Sequence, residues 1–289
     1  MYRDRQGREI KGNEGQDYIL DKLYRSLPGK VLLPLLISPP VSAMAGKFFD
    51  SGLSAFMVSG FVKRNHIDLG LYKKQKFNSY NDFFTREIRE GEREFDWKPE
   101  AFCAPCDSKL SVYSISKDSE FSIKSMNYTM ESLTRSRRIA RQYEGGLLLV
   151  FRLTVDDYHH YAYVDDGVVT RNYHIPGVFH TVNPLAGELY PIYRENTRQF
   201  SIMRSTHFGN VLMMEVGALL VGRICNFIDG DGKTSVVRGQ EKGMFEFGGS
   251  TVILAVEKDR IRIDDDILRN SDEGIETIVK QGERIGTAI

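Results

Sequence analysis

The chain has 289 residues, 41% of them apolar, which is enough for one large globular domain or two small ones. Its 39 basic and 39 acidic side chains give a formal charge of zero, so no overall field attracts nucleic acid. Three cysteines, two of them in Cys103-Ala-Pro-Cys106, are typical of a reducing compartment rather than of a disulfide framework. The first residues lack the apolar centre of a secretory signal, so we expect a protein of the cytoplasmic side.

The N-terminal region is predicted to be helical. Residues 15–27 carry apolar side chains at helical spacing, and residues 53–61 repeat this amphipathic pattern. Between them, the uncharged segment 31–46 contains three prolines, and we expect that it does not span a bilayer, which requires about 20 helical residues. Basic side chains follow at Lys63, Arg64, Lys73, Lys74 and Lys76. The pattern suits helices lying in a lipid headgroup layer, and it also suits a helical subdomain packed on its own core.

From about residue 100 onwards, the sequence consists of short segments rich in β-branched or aromatic residues. The predicted strands are 109–115, 146–155, 167–175, 210–228, 234–239 and 250–257. A helical interruption is predicted at 128–144. We therefore predict an α+β fold, with a helical region over residues 1–76, either membrane-associating or packed on its own core, and a mostly antiparallel, β-rich domain over residues 77–289 that would hold any catalytic site.

Three familiar kinds of motif are not satisfied. The Cys-x-x-C segment is followed by a strand, whereas a thioredoxin-like site requires a helix there. The segment Asp229-Gly-Asp-Gly-Lys-Thr234 has Phe227 where a phosphate-binding loop needs its first glycine, and it predicts a hairpin turn instead. The histidines are too scattered for a recognisable metal pattern, so no metal is expected.

Three other segments carry more information together than singly. They are Gly248-Gly249-Ser250-Thr251, Asp107 in APCDSKLSVY, and the histidines of VDDYHHYAYVDDG. Taken alone, a Gly-Gly pair inside a strand predicts no more than a bulge. Through these three segments taken together, the chain resembles the phosphatidylserine decarboxylase family of pyruvoyl-dependent enzymes. The resemblance runs in family order through 77–93, 105–113, 157–167, 177–184, 215–224 and 238–254.

The resemblance implies that the chain cuts itself between Gly249 and Ser250. A serine hydroxyl can attack the preceding carbonyl only if the backbone leaves regular strand geometry, and glycine permits that bend. The products would be a long chain of residues 1–249 and a short chain of residues 250–289. Ser250 would be converted to a covalent pyruvoyl group, so the expected cofactor is pyruvate made from the chain itself.

The resemblance also implies roles for the polar residues. A weakly nucleophilic serine requires a base that a third group orients. Asp107 matches the family's aspartate, and His159 matches the first of two histidines in the family motif. The second histidine position is occupied by Ala162, which leaves His159 as the leading base and His180, in FHTVNP, as the reserve candidate.

The expected reaction is conversion of phosphatidylserine to phosphatidylethanolamine and CO₂ through a Schiff base to the pyruvoyl carbonyl. Because the acyl chains of this substrate remain in a bilayer, we expect a peripheral protein on the cytoplasmic side of the cell membrane, at an anionic surface. The expected partners are the two cleavage products themselves, as a heterodimer, and a homodimer of that unit. Two alternatives stay open: a pyruvoyl-dependent decarboxylase of a soluble amino acid, and an uncleaved β-rich binding module.

Overall fold

A computed structural model describes residues 2–10, 14–118, 120–123, 126–219, 223–247 and 250–289. The helices are α1 Glu14–Arg25, α2 Leu27–Leu36, α3 Pro39–Asp50, α4 Phe56–Arg64, α5 Tyr80–Phe84, α6 Met130–Thr134, α7 Arg137–Gln142, α8 Pro184–Gly187, α9 Ile192–Glu195 and α10 Asp265–Asp272. Single 3₁₀ turns occupy Gly52–Ser54 and Leu69–Leu71.

The strands are β1 Tyr2–Arg3, β2 Glu9–Ile10, β3 Ala101–Cys103, β4 Ser108–Ser114, β5 Glu120–Ile123, β6 Met126–Thr129, β7 Leu147–Leu153, β8 His160–Ala162, β9 Gly167–Val169 and β10 Tyr173–Ile175. They continue with β11 Arg198–Ser205, β12 Asn210–Val216, β13 Ile224–Asn226, β14 Thr234–Val236, β15 Glu241–Phe245, β16 Ser250–Val256, β17 Ile261–Ile263, β18 Glu276–Val279 and β19 Arg284–Ala288.

The prolines of the uncharged segment sit at a helix start and inside a helix. Ser26 caps α2 by accepting a hydrogen bond from the amide of Gly29, and Pro34 lies within that helix. Pro39 begins α3, where a missing N–H costs nothing. No single helix in the described ranges is long and apolar enough to cross a membrane, but α2 and α3 meet that test together as a pair bent by 76°.

One large sheet organises the molecule. Within the described residues its eleven strands follow the order β14-β9-β11-β12-β16-β7-β4-β18-β1-β2, with β10 also pairing with β11. All of these pairs are antiparallel except β1 with β18. Two three-stranded sheets, β13-β15-β8 and β17-β19-β3, and the hairpin β5-β6 complete the fold. The predicted α+β class with mainly antiparallel sheets is confirmed.

Two predicted strands are divided in the structure, and one predicted turn has a different role. The segment 167–175 forms β9 and β10, and the segment 210–228 forms β12 in the large sheet and β13 in a small one. Residues 229–233 were expected to close a hairpin, and this expectation is wrong. They lead from β13 to β14, and these strands belong to different sheets.

The large sheet has an apolar cluster on each face, and β16 contributes to both. Val252 and Leu254 face the cluster beneath the two small sheets, whereas Ile253 and Ala255 face the cluster beneath the N-terminal and central helices. This follows from the two-residue period of a strand. By the same alternation, Ser250 lies on the face of Val252.

A third apolar cluster joins the N-terminal helices to the rest of the chain. Phe49 of α3 and Val58 of α4 pack with Tyr80, Phe83 and Phe84 of α5. Phe247 packs against the same group, with ring centroids 3.8 Å from Phe49 and 5.5 Å from Phe84. The helical region is therefore anchored on the segment that leads into Ser250.

A fully buried ion pair connects β12 of the large sheet with β15 of the small one. Lys242 Nζ lies 2.8 Å from Glu215 Oε1 and 2.9 Å from Asn226 Oδ1. Burial raises the pKa of Glu215 and lowers that of Lys242, and their mutual attraction opposes both shifts. The pair fixes the position of β15, the strand that precedes the Gly-Gly segment.

Removing one partner of this pair leaves an uncompensated buried charge. We expect Lys242→Met to destabilise the protein by about 3–5 kcal/mol. Glu215→Gln combined with Lys242→Met should recover a large part of this loss because neither charge is then buried alone. Urea unfolding followed by circular dichroism measures both variants. A double variant no more stable than the single one would contradict the importance of the pair.

Candidate active site

Ser250 is the first residue of β16 and is buried in the middle of the large sheet. It lies opposite Leu153, the last residue of β7. Among the described residues its Oγ has no hydrogen-bond partner. The neighbouring Gly248 and Gly249, predicted to bend the chain, lie outside the described residues. A buried hydroxyl without a partner is costly unless it has another use, so Ser250 is a candidate reactive group.

His159 lies directly before β8, and its carbonyl accepts a 3.0 Å hydrogen bond from the amide of Phe245. Ser250 pairs with Leu153, so both contacts join the same two parts of the chain. Residues 154–158 separate Leu153 from His159 in sequence, and residues 246–249 separate Phe245 from Ser250. Each of the two predicted residues therefore contacts a residue that lies five or six positions before the other in the chain.

The ring of His159 is held in one tautomer. Its Nδ1 lies 2.9 Å from the carbonyl oxygen of Asp157, which can only accept, so Nδ1 carries the proton. The Nε2 atom is then an unprotonated acceptor, and it is buried without a partner among the described residues. Burial, followed by the nearby charge of Arg86, lowers the pKa of His159 to about 3. The imidazole is therefore neutral at pH 7 with a free lone pair.

Three side chains that sequence reasoning missed, those of Phe84, Arg86 and Asp157, fix this ring or the backbone to which it bonds. Phe84 packs on it with ring centroids 3.9 Å apart. Arg86, itself buried, donates 2.9 Å to the same Asp157 carbonyl that His159 uses. The Asp157 carboxylate accepts from Lys109 at 2.6 Å and from the amide of Thr154 at 2.7 Å, which closes the connection as a turn. The Thr-x-x-Asp spacing could have predicted that turn.

Asp107 is buried but does not contact His159. Within the described part of the chain it accepts two bonds from Arg93, at 2.7 and 2.6 Å, one from Lys280 at 3.0 Å and one from the amide of Gln281 at 2.9 Å. Burial alone would raise its pKa, but Arg93 and Lys280 hold the pKa below its usual value. Asp107 is therefore an ionised carboxylate neutralised by two cations.

Gln281 connects Asp107 to the strand that carries the histidines. Its Nε2 donates to the carbonyl of Pro105 at 3.1 Å and to the carbonyl of His160 at 3.4 Å. The geometry links the aspartate to the backbone beside His159 and not to the imidazole. A direct Asp–His contact of the kind found in serine hydrolases is absent between these two described residues.

The side chains of His160 and Ala162, close to His159 in sequence, are held by contacts within the fold. The ring of His160 bonds to Glu241 and to the carbonyl of Thr85, and it stacks on Tyr158 at 4.7 Å. Ala162, which occupies the family's second histidine position, is buried in a cluster with Phe95 and two neighbours from β3.

His180, the reserve candidate, is engaged at both ring nitrogens. Nδ1 lies 3.4 Å from the hydroxyl of Tyr24, and Nε2 lies 3.3 Å from a carboxylate oxygen of Glu195. Burial lowers its pKa to about 4, so at pH 7 the contact with Glu195 is a hydrogen bond of a neutral ring. Asn196 ties the carbonyl of His180 to that of Gly217, at 2.8 Å each. Gly217 directly follows β12, the strand next to β16.

A cavity of about 330 Å³ lies beside this site. Its walls include α3, Phe179 and Arg223, together with Glu246 and Phe247 of the connection that precedes Ser250. The volume is within the usual range for small-molecule sites. A group bound there would contact the residues that precede Gly248-Gly249-Ser250 in the chain.

Comparison with known proteins gives a consistent result. The sequence model described as phosphatidylserine decarboxylase matches residues 80–287. A protein of Clostridium acetobutylicum named phosphatidylserine decarboxylase proenzyme 2 is 41% identical over 265 residues, which cover 91% of this chain and 90% of that protein. Proteins named phosphatidylserine decarboxylase proenzyme are 39% identical in Clostridium tetani, over 85% of this chain and 83% of that protein, and 36% identical in Ruminiclostridium cellulolyticum, over 94% and 91%.

The low pKa values of the buried histidines predict an acid-dependent loss of stability. The unfolded chain binds a proton at each histidine below pH about 6.5, whereas the folded chain resists protonation until about pH 3 at His159 and pH 4 at His180. Stability should therefore fall as pH decreases through this window, by about 1.4 kcal/mol per pH unit for each histidine.

Urea unfolding at several pH values measures this slope. His159→Gln should reduce it, and the exposed His174 provides the matched control, His174→Gln, which should leave it as in the wild type. An unchanged slope in His159→Gln would show that His159 is protonated in the folded protein near its ordinary pKa.

Proposed function

The chain belongs to the phosphatidylserine decarboxylase family, and on that premise we propose that it cleaves itself at Ser250 and decarboxylates phosphatidylserine to phosphatidylethanolamine. The observation that carries the proposal is the presence of two unsatisfied groups in neighbouring parts of the fold. Ser250 Oγ and His159 Nε2 are both buried without hydrogen-bond partners among the described residues. Ser250 pairs with Leu153, six residues before His159, and His159 bonds to Phe245, five residues before Ser250.

In the first proposed step, Ser250 Oγ attacks the carbonyl carbon of Gly249 while His159 Nε2 takes the hydroxyl proton. His159 then gives this proton to the departing nitrogen as the C–N bond breaks, and the acyl group moves from nitrogen to oxygen, which gives an ester. Loss of the Cα proton and cleavage of the Cβ–O bond release residues 1–249 with a new carboxylate. The dehydroalanine left at position 250 takes up water and loses ammonia, which leaves a pyruvoyl group.

The neutral tautomer of His159 suits this first step. A histidine held by a carboxylate would gain basicity, whereas the carbonyl of Asp157 fixes the ring without adding a negative charge. The adjacent Arg86 disfavours the protonated ring, so the proton must leave His159 again quickly. Asp107 contributes to this site through Gln281, which holds the carbonyl of His160, and we propose that it positions the strand rather than the imidazole.

The residues of the site fit a pyruvoyl group at position 250 because the side chain there is small, buried and free of partners. Such a group supplies a ketone next to an amide carbonyl, an electron sink for the electron pair left when a substrate carboxylate departs as CO₂. In this reaction we propose that His159 holds and returns a proton at Nε2, an atom that is buried without a partner among the described residues. Burial of the site limits access of water.

The short chain is held in place after cleavage by its strands. β16 pairs along its length with β7 on one side and with β12 on the other. β18 pairs with β4 and with β1. We therefore infer a stable heterodimer of the two products, and by family resemblance a homodimer of that unit.

We also propose peripheral attachment to the cytoplasmic face of the cell membrane. Large apolar side chains are exposed on α2, on α3, at Leu53 in the 3₁₀ turn before α4 and at Phe56 at the start of α4, the last two each 76% exposed. Two of the expected lipid-facing cations are engaged elsewhere, because Lys73 pairs with Glu87 at 2.8 Å and Lys74 with Asp82 at 2.7 Å. The apolar surface thus supports this proposal better than the basic cluster does.

Self-cleavage is tested on a denaturing gel. Wild-type protein should give two chains, whereas Ser250→Ala should give one of 33.0 kDa. Thr251→Val is a matched control because Thr251 Oγ1 is also buried without a partner among the described residues but lies on the opposite sheet face, and it should cleave normally. Mass spectrometry should find the short chain blocked and lighter by one ammonia than a chain that begins with serine.

The base is tested by rate. His159→Ala should slow cleavage by about 100-fold or more, and Asp107→Asn by less. Normal cleavage in His159→Ala would transfer the role of base to His180. A wild-type protein that stays as one chain would instead support an uncleaved binding module.

Membrane attachment is tested by cosedimentation with vesicles that contain phosphatidylserine. Leu53→Glu and Phe56→Glu should each weaken binding by about tenfold, because each removes a large apolar contact. Val237, 57% exposed in the β-rich part, provides the control Val237→Glu. Equal binding by all variants would argue that the helices serve only as a packed subdomain.

A further inference from the structure

We propose that the cavity beside α3 binds the phosphodiester of the lipid headgroup, with Lys47 and Arg223 as the residues that select a phospholipid over a free amino acid. This inference rests on the proposed decarboxylation. It adds a binding site and two specificity-determining residues to it. Four features carry the inference: the position of the cavity, its shape, its charged side chains and the apolar opposite face of α3.

The position connects the cavity to the reaction. Glu246 and Phe247 line it and belong to the connection that ends at Ser250. Phe247 is fixed there by packing on Phe49 and Phe84, and Phe84 also packs on the ring of His159. A headgroup in the cavity would therefore be held against the same residues that position the reacting segment.

The shape of the cavity is created by small residues on one stripe of α3. Ser42, Ala43 and Gly46 line it at helical spacing. A Cβ atom placed on Gly46 would meet no atom within 4 Å, so the glycine leaves open space. The Oγ of Ser42 is buried without a hydrogen-bond partner in the described part of the chain and is available to a ligand oxygen.

The cavity is lined by two cations, Lys47 and Arg223, and by two carboxylates, Asp50 and Glu246, so its formal charges balance and the mobility of the cations decides what they bind. Asp50 already accepts a 2.8 Å hydrogen bond from Asn81, and within the described ranges no carboxylate lies within ion-pair distance of the Lys47 ammonium group. The side chain of Arg223 is 74% exposed and lies 3.4 Å from Glu246, a long contact. The two cations can thus turn to a bound anion at little cost, and a guanidinium forms paired hydrogen bonds with phosphate oxygens. A free amino acid has no phosphate to use them.

The opposite face of α3 offers an apolar surface to acyl chains. Met44 and Phe48, also on α3, are 72% and 43% exposed. Each lies about 160° around the helix from Gly46, because successive residues of a helix are separated by about 100°. The helix can therefore contact a bilayer through this apolar face while its other face lines the headgroup cavity.

The steric test fills the cavity. Gly46→Leu should still cleave into two chains but lose activity on phosphatidylserine vesicles by at least about tenfold. Gly60→Leu is the matched control, since Gly60 also lies in a helix, α4, with no atom within 4 Å of an added Cβ, but does not line the cavity. Its activity should fall by less than that of Gly46→Leu. Reductive trapping of methylamine on the short chain should be retained in both, which shows that the reactive carbonyl is intact.

The charge test leaves packing unchanged and stays informative if Gly46→Leu fails to fold. Lys47→Met and Arg223→Gln should each raise KM for the lipid by about fivefold or more with little change in kcat, since they remove ground-state binding. Lys22→Met, which removes an exposed charge from α1, is the control. Turnover like the control in both variants would overturn the proposal.

Failure of the inference and failure of the proposed function give different results. If wild type remains one chain, or decarboxylates free serine but not the lipid, the proposed function itself is wrong. If wild type cleaves and acts on the lipid while the cavity variants match their controls, only the cavity assignment is wrong.

Discussion

The central position of β16 in the large sheet is the constraint on which the other features of this protein depend. The strand pairs from Ser250 to Val256 with β7, and from Thr251 to Val256 with β12. Its side chains alternate between two apolar clusters. A backbone held on both sides cannot relax, so its first residue is presented at a fixed place. The same ladders keep the C-terminal strands in the fold if the chain is cut before Ser250.

The long part of the chain holds the short part from a second direction. The N-terminal strand β1 pairs in parallel with β18, and Arg5 bonds to Asp264 at 2.8 Å, Asp266 at 2.5 Å and Glu283 at 3.3 Å. Because these three carboxylates share one guanidinium that is itself largely buried, the contact is stronger than an isolated surface pair. Residues from both termini therefore stabilise the sheet that carries the site.

The surroundings of His159 and of Asp107 have opposite effects on charge. His159 is buried and lies next to Arg86, and both features disfavour its protonated form. In contrast, Asp107 is kept ionised by Arg93 and Lys280. The two groups are linked through Gln281 and the backbone, which is the basis for our proposal that the aspartate positions the strand next to the histidine. This arrangement differs from a direct triad because the imidazole hydrogen-bonds to a peptide carbonyl instead.

Local patterns in the sequence were sufficient to predict β16, the predominance of antiparallel strands and the helical N-terminal region, because alternation and helical spacing are properties of neighbouring residues. They also identified Ser250, His159 and Asp107 as candidates through the resemblance to one family. Only the tertiary structure decided which groups these residues meet. Lys280 reaches Asp107 across 173 positions of the chain, and Arg86 reaches the Asp157 carbonyl across 71. Such contacts depend on strand register and helix packing over the whole fold, which no short segment of sequence specifies.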